Sequence, residues 1–144
     1  MITIMRCGED HMEQVIEAML RVKREDDSCD ANADNIARFL HTPGALFYVA
    51  KLDSSVVSYA VAYRMSRLDG DDMFCLYEIG TTKRHRGQGI AKILLSHILA
   101  DARSTGIHKV WIPTTKSNKA ACALYRSVGA SAAENDDVIF TCRL

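Results

Sequence analysis

The segment Arg84-His85-Arg86-Gly87-Gln88-Gly89 constrains this chain more than any other. It follows an apolar run, Met73 to Thr81, and precedes Ile90, Ile93, Leu94, His97 and Ile98, which recur at helical spacing. Glycines let a backbone pass close to a bulky ligand, and a helix that starts directly after them presents N–H groups with no carbonyl behind them. Together with the positive end of the helix dipole, such groups make a site for phosphate oxygens. Arg84 and Arg86 add fixed positive charge. The spacing departs from both the G-x-G-x-x-G fingerprint and the G-x-x-x-x-G-K-[ST] loop, so hydride transfer and ATP hydrolysis lack their usual warrant. On local physics alone, a turn that merely joins a strand to a helix stays open as the other reading.

A chain of 144 residues, 48% apolar and 25% charged, fits one globular domain spanning residues 1–144. No apolar stretch approaches the roughly 18 residues of a membrane span. The start, Met1 to Arg6, lacks the layout of a signal peptide, which points to a cytoplasmic protein. Lys plus Arg equals Asp plus Glu at 18 each, so a strongly basic nucleic-acid binder is not supported. Five cysteines (Cys7, Cys29, Cys75, Cys122, Cys142) make an odd count with no C-x-x-C pair. Reduced, mostly packed thiols fit that better than a disulfide framework or a zinc cluster, and no metal site is expected.

Residues 2–7 alternate weakly, as a short strand does. Asp10-His11-Met12-Glu13 has the form of a capping box, and Met12, Val15, Ile16, Met19 and Leu20 carry a first helix to about residue 23. A polar loop from Arg24 to Ala31 leads to a shorter helix with Ile36, Phe39 and Leu40, closed by Pro43-Gly44. Leu46 to Leu52, Val56 to Met65 and Met73 to Thr81 read as strands separated by polar turns. After the glycine-rich turn a long helix ends near Gly106, and Val110 to Ile112 is a short strand. Ser117 and Asn118 cap a helix carrying Ala121, Leu124, Tyr125 and Val128, with Gly129 as its stop. Ala130 to Ala133 and Val138 to Cys142 complete the order β-α-α-β-β-β-α-β-α-β-β as two closing strands, a mixed α/β arrangement.

Arg84 to Gly89 resembles the R/Q-x-x-G-x-G/A motif of the GNAT acetyltransferase superfamily, between a strand and a helix as that motif stands. Ser117-Asn118-Lys119-Ala120-Ala121-Cys122-Ala123-Leu124-Tyr125-Arg126-Ser127-Val128-Gly129-Ala130 is similar to the family's N-x-x-A-x-x-L-Y-x-x-x-G-F block, with Ala130 where phenylalanine is usual. The resemblance covers nearly the whole chain. It implies the GNAT fold, a mixed, mostly antiparallel sheet flanked by helices, and transfer of an acetyl group from acetyl-CoA to an amine.

The same resemblance assigns roles. Backbone N–H groups from Arg86 through Gly87, Gln88 and Gly89 to Ile90 would hold the coenzyme pyrophosphate, with Arg84 and Ala91 as further cofactor-binding residues. Ile79 and Thr81, flanking Gly80, would pair with the pantetheine arm where two strands splay apart. Asn118, with Ala121 in the same block, would contact that arm, and Tyr125 would place its hydroxyl near the thioester sulfur. Transfer needs a neutral amine, so a proton must be taken up, directly or through water. Glu78, a carboxylate late in an apolar strand, is the candidate base. An N–H near Ile79 is the candidate oxyanion donor, and Tyr125 the candidate acid. Each has a plainer reading: Glu78 pairing with a cation or facing solvent, Tyr125 packing in a core. His85, His97 and Cys122 read as surface or helix-face residues.

The motifs speak for the donor and leave the acceptor open. Acidic clusters at 24–30, 69–72 and 134–137 would attract a polycation, with Glu78, Asp27, Asp30, Asp136 and Asp137 as candidate acceptor contacts. Tyr77-Glu78-Ile79-Gly80 is similar to the Tyr-Asp-Leu-Ala stretch of gentamicin-type aminoglycoside 3-N-acetyltransferases, with glutamate for aspartate. The segment Glu134 to Phe140 resembles their acidic C-terminal block, and the N-terminal third matches less well. The leading expectation is an aminoglycoside acceptor. Polyamines, amino sugars, protein N-termini and a non-catalytic acyl-CoA sensor stay open. Members of the superfamily are often dimers, which leaves a homodimer open, and no patch in the sequence identifies an interface.

Overall fold

Five strands, β1 (Ile2–Cys7), β2 (Ala45–Leu52), β3 (Ser55–Met65), β4 (Met73–Thr81) and β5 (Val110–Trp111), form one sheet in sequence order. The computed structural model describes residues 1–132 and 138–144. The first four strands are antiparallel, and β5 joins β4 in parallel. Helices cover both faces: α1 (Met12–Arg21) and α2 (Ala33–His41) on one, α3 (Ile90–Ser104) and α4 (Lys119–Ser127) on the other. A sheet covered on both faces needs apolar residues at consecutive positions rather than alternate ones. β3 shows this, being buried from Val56 through Ala62.

Strand alternation sends the side chains to two cores. Phe47, Val49, Tyr59 and Val61 meet Val15, Ala18, Val22 and Ile36 beneath α1 and α2. Tyr48, Ala50, Ala60, Ala62, Phe74 and Leu76 meet Leu94, Leu95, Ile98 and Ala102 beneath α3. The small alanines of β2 and β3 on this side leave room for the helix to lie against the sheet.

Helix boundaries follow local chemistry. Asn32 and Asn118 cap α2 and α4, each side-chain oxygen accepting a backbone N–H at 3.1 Å, from Asn35 and Ala121 respectively. α4 ends as Gly129 takes a φ of +91°, while the amides of Gly129 and Ala130 donate to the carbonyls of Arg126 and Tyr125. α3 closes in the same way at Gly106.

Two expectations are corrected. Asp10 caps no helix: a 3-10 turn over Glu9–His11 precedes α1, and the His11 ring accepts the Gly8 N–H at 3.0 Å. The closing strands are not formed in the described residues 130–132 and 138–142. The Ala130 amide is already used to close α4, and the apolar triplet Val138, Ile139 and Phe140 is exposed rather than laid on the sheet. Among the described residues, no helix is long and apolar enough to cross a membrane.

Leu94 is fully buried, so Leu94→Ala should cost about 3 kcal/mol in urea unfolding, from lost transfer energy and a residual cavity. Burial pushes the Cys7 thiol up to about 11, against a smaller opposing pull from Lys51, and burial also raises Cys75. Thiolates are the reactive form. Iodoacetamide at neutral pH should therefore modify exposed Cys142 first, and reach Cys7 and Cys75 only when denaturant is added.

Candidate active site

β4 carries the site, and two irregularities shape it. The first is a bulge: Val61 pairs with Glu78 and Ala62 with Leu76, which leaves Tyr77 as an extra residue. Phe74, Leu76 and Ile79 pack toward α3. Tyr77 instead lies 5.8 Å from the Tyr63 ring on the opposite face, where Glu78 also meets Tyr59. The bulge thus turns two consecutive side chains to the α1/α2 face.

The second irregularity is the length of β5. It pairs with β4 only at Phe74 and Cys75, so from Leu76 onward β4 has, among the described residues, a strand partner on the β3 side alone. The Thr82 amide donates to the Val57 carbonyl at 2.9 Å. Alternation from that bond directs the backbone groups of Ile79 and Thr81 away from β3, toward the open edge. An extended, amide-bearing arm fits such an edge as an added strand.

At the end of this edge lies the glycine-rich turn. Gly87 and Gly89 take φ values of +75° and +79°, and a Cβ on either would meet nothing within 4 Å. Glycine is needed here for the left-handed backbone, and the space beside it is clear for a ligand. α3 has no side-chain cap at its start, Gly89 standing at the cap position. The longest helix therefore opens with its first-turn amides of Ile90 and Ala91 uncapped by any side chain, a donor set suited to a pyrophosphate. Arg84 is exposed. Arg86 is otherwise engaged: its Nε donates to the Thr81 carbonyl at 3.0 Å and its Nη2 to Asp26 at 2.5 Å. The Gln88 side chain donates to the Arg84 carbonyl at 3.1 Å, stiffening the turn.

Glu78 sits at the floor of a cleft of about 410 Å³ between β4 and the loop after α1, with Lys23, Asp26, Asp27, Tyr59 and Tyr77 among its walls. Its Oε1 accepts from Lys23 Nζ at 2.5 Å and from the Tyr59 hydroxyl. Lys23 and Glu78 side chains are each 26% exposed, so water and small solutes reach the pair. Burial pulls the Lys23 ammonium down, but the hydrogen bond and charge of Glu78, aided by Asp27 and Cys29, more than reverse this and leave it raised. Burial first, and then Glu78, hold the Tyr59 hydroxyl well above its ordinary range, so it stays a donor. Gly80 makes room for this: a Cβ there would meet the Tyr59 ring at 2.9 Å.

A second chamber, of about 220 Å³, adjoins the cleft and shares Lys23, Tyr77 and Glu78 with it. Phe39, Phe47 and Tyr63 give it aromatic walls, and Asp30 stands at its polar side. Asp27 and Asp30 are thereby brought to the same region as Glu78. Asp136 and Asp137 lie outside the described residues. The 69–72 turn lines neither cleft; Asp69 pairs with Arg67 and Asp72 with Arg64. On the α3 side Tyr125 packs half-buried against the core, its hydroxyl raised by burial and by nearby Cys122. The Asn118 oxygen is committed to its helix cap, and Ala121 supplies the amide it accepts.

Lys23 and Tyr59 were not expected in the site, and Asp26 only as part of the acidic cluster at 24–30. Lys23 left a trace of its own, four residues beyond Met19 in the 3-10 turn Lys23–Glu25 that follows α1. It is a cation where the pattern asks for an apolar residue, the counterpart of Glu78 on its strand.

The acetyltransferase (GNAT) family model matches residues 12–130. The chain belongs to the GNAT family. Human N-acetyltransferase 8B is 32% identical over 104 residues, which are 67% of this chain and 43% of that protein. Mouse N-acetyltransferase 8F1 is 32% identical over 92 residues, 63% of this chain and 41% of that protein. The chain thus spans less than half the length of these relatives. Among solved structures, an aminoglycoside acetyltransferase from an uncultured soil metagenomic sample superposes with a TM-score of 0.88 at 20% identity, covering 99% of this chain and 96% of that one. A ribosomal-protein-alanine N-acetyltransferase from Brucella melitensis biovar Abortus 2308 gives 0.76 at 18% identity, with both chains covered fully at 100%. At such identities the likeness speaks for the GNAT fold.

Gly80→Ala should destabilise the protein by about 1–3 kcal/mol through overpacking against Tyr59. In a double-mutant cycle with Tyr59→Ala, measured by urea unfolding, most of that penalty should vanish, since the ring it strikes is gone.

Proposed function

We propose that this protein is an acetyl-CoA-dependent N-acetyltransferase whose acceptor is the primary amine of a small cationic molecule, with aminoglycosides the leading class. The observation that carries the reading is the position of Glu78, at the floor of an acidic cleft beside the open edge of β4.

Acetyl-CoA supplies an activated acyl group, and the residues present suit its parts. The amides from Arg86 through Ala91 suit its pyrophosphate. The backbone of Ile79 and the amide of Thr81, on either side of Gly80, suit its amide-bearing arm. An acceptor amine arrives protonated and must lose a proton before it can attack. Glu78 is a carboxylate within reach of solvent, so it can take that proton directly or through a water. Tyr125, protonated at neutral pH, can return a proton to the departing sulfur. Glu78, Asp27 and Asp30 favour a positively charged acceptor, because carboxylates around a cleft concentrate cations and orient them. Asp136 and Asp137 are further candidates for this role. An aminoglycoside acceptor would make the protein a determinant of antibiotic resistance.

A thiol-release assay with acetyl-CoA and kanamycin-like, gentamicin-like, polyamine and basic-peptide acceptors tests the reading. Release should rise well above background with at least one cationic small molecule. Tight coenzyme binding with background release for every amine would leave an acyl-CoA sensor instead. Glu78→Gln should lower kcat by about a hundredfold and leave coenzyme affinity within about twofold of wild type. Gly87→Asn tolerates the left-handed backbone, so the variant should keep its Tm and yet bind coenzyme A more weakly. Undiminished binding would move the pyrophosphate away from this turn.

A further inference from the structure

Lys23 reaches from the end of α1 to Glu78, and its ammonium stands where a cationic acceptor would have to bring its own. Its Nζ is 2.5 Å from Glu78 Oε1, and it lines both the cleft and the adjoining chamber. A second cation cannot share that carboxylate oxygen at such a distance without strong like-charge repulsion. We propose that Lys23 is a tethered competitor for the acceptor site, displaced from Glu78 each time an acceptor ammonium binds. This rests on the acetyltransferase reading of the same cleft.

The exchange is chemically balanced. No bond is made or broken, and one ammonium replaces another on one carboxylate. Lys23 has somewhere to go, because Asp27 lies in the same cleft and already acts on its charge. The pair is a quarter exposed, so the swap does not require a buried charge to be left alone. Tyr59 keeps its hydrogen bond to the same oxygen and holds the carboxylate in place while the cations exchange. Lys23 thereby sets the affinity an acceptor must reach: a monocation must outcompete it unaided, whereas a polycation can also engage Asp30. Lys23 acts here as a gate on binding, without contact to the transferred group.

Calorimetry of kanamycin and of butylamine binding to the coenzyme A complex tests this, with Lys23→Met, Lys23→Arg and wild type side by side. Removing the competitor in Lys23→Met should tighten binding of both amines by about fivefold, the size of effect a partly exposed ion pair can exert. In Lys23→Arg the guanidinium forms a firmer fork on the carboxylate, so binding should weaken. In thiol release the same variants should shift KM in those opposite directions, with kcat changed much less. If both variants lose kcat while KM and affinity stay put, Lys23 only positions Glu78 and the proposal falls. It falls equally if neither amine binds any of the three proteins. Tighter binding in Lys23→Met with background thiol release throughout would keep the competitor and overturn the acetyltransferase reading instead.

Discussion

The early end of the β4–β5 pairing is the constraint on which the site depends. After Phe74 and Cys75 the two parallel strands no longer exchange hydrogen bonds. Backbone groups on a sheet edge seek partners, and here the edge runs straight from the acidic cleft to the glycine-rich turn. The fold thus leaves an exposed length of strand edge whose two ends carry different chemistry. One end offers helix amides and the other a carboxylate, so a ligand laid along it is oriented without any special side chain.

The β4 bulge answers a different need. A regular strand would have sent Tyr77 and Glu78 to opposite faces. By inserting one residue, β4 gives the acceptor side both an aromatic wall and a carboxylate, while Ile79 still fills the core under α3. Gly80 then gives up a side chain so that Tyr59 can lie close enough to hold Glu78. Tyr77, Glu78 and Gly80, within four consecutive positions, carry three separate geometric duties.

Much of this was legible beforehand, for physical reasons that differ along the chain. The span from Met73 to Thr81 was read to the residue, because apolar continuity marks a strand covered on both faces. The start of α3 and the stop at Gly129 followed from backbone rules that glycine obeys locally. Glu78 stood out as a carboxylate in an apolar run. Its partners did not, since Lys23 and Tyr59 are 55 and 19 residues away and meet it only through tertiary packing. The closing strands were misread because periodicity reports what a segment can pair with, and residues 138–142 have their apolar side chains in solvent.

The Arg86 and Lys83 contacts have one more consequence. Arg86 grips Asp26, and the Lys83 amide donates to Glu25 at 2.5 Å, so the acidic loop is fastened to the glycine-rich turn at two points. Whatever settles the turn therefore also settles the wall facing Glu78. Two ligands bound at these places share one mechanical element, and linkage makes their influence mutual. By whatever factor the first strengthens the second, the second strengthens the first. A loop that looks like a solubilising run of charge is, by these two contacts, part of the frame that holds the glycine-rich turn.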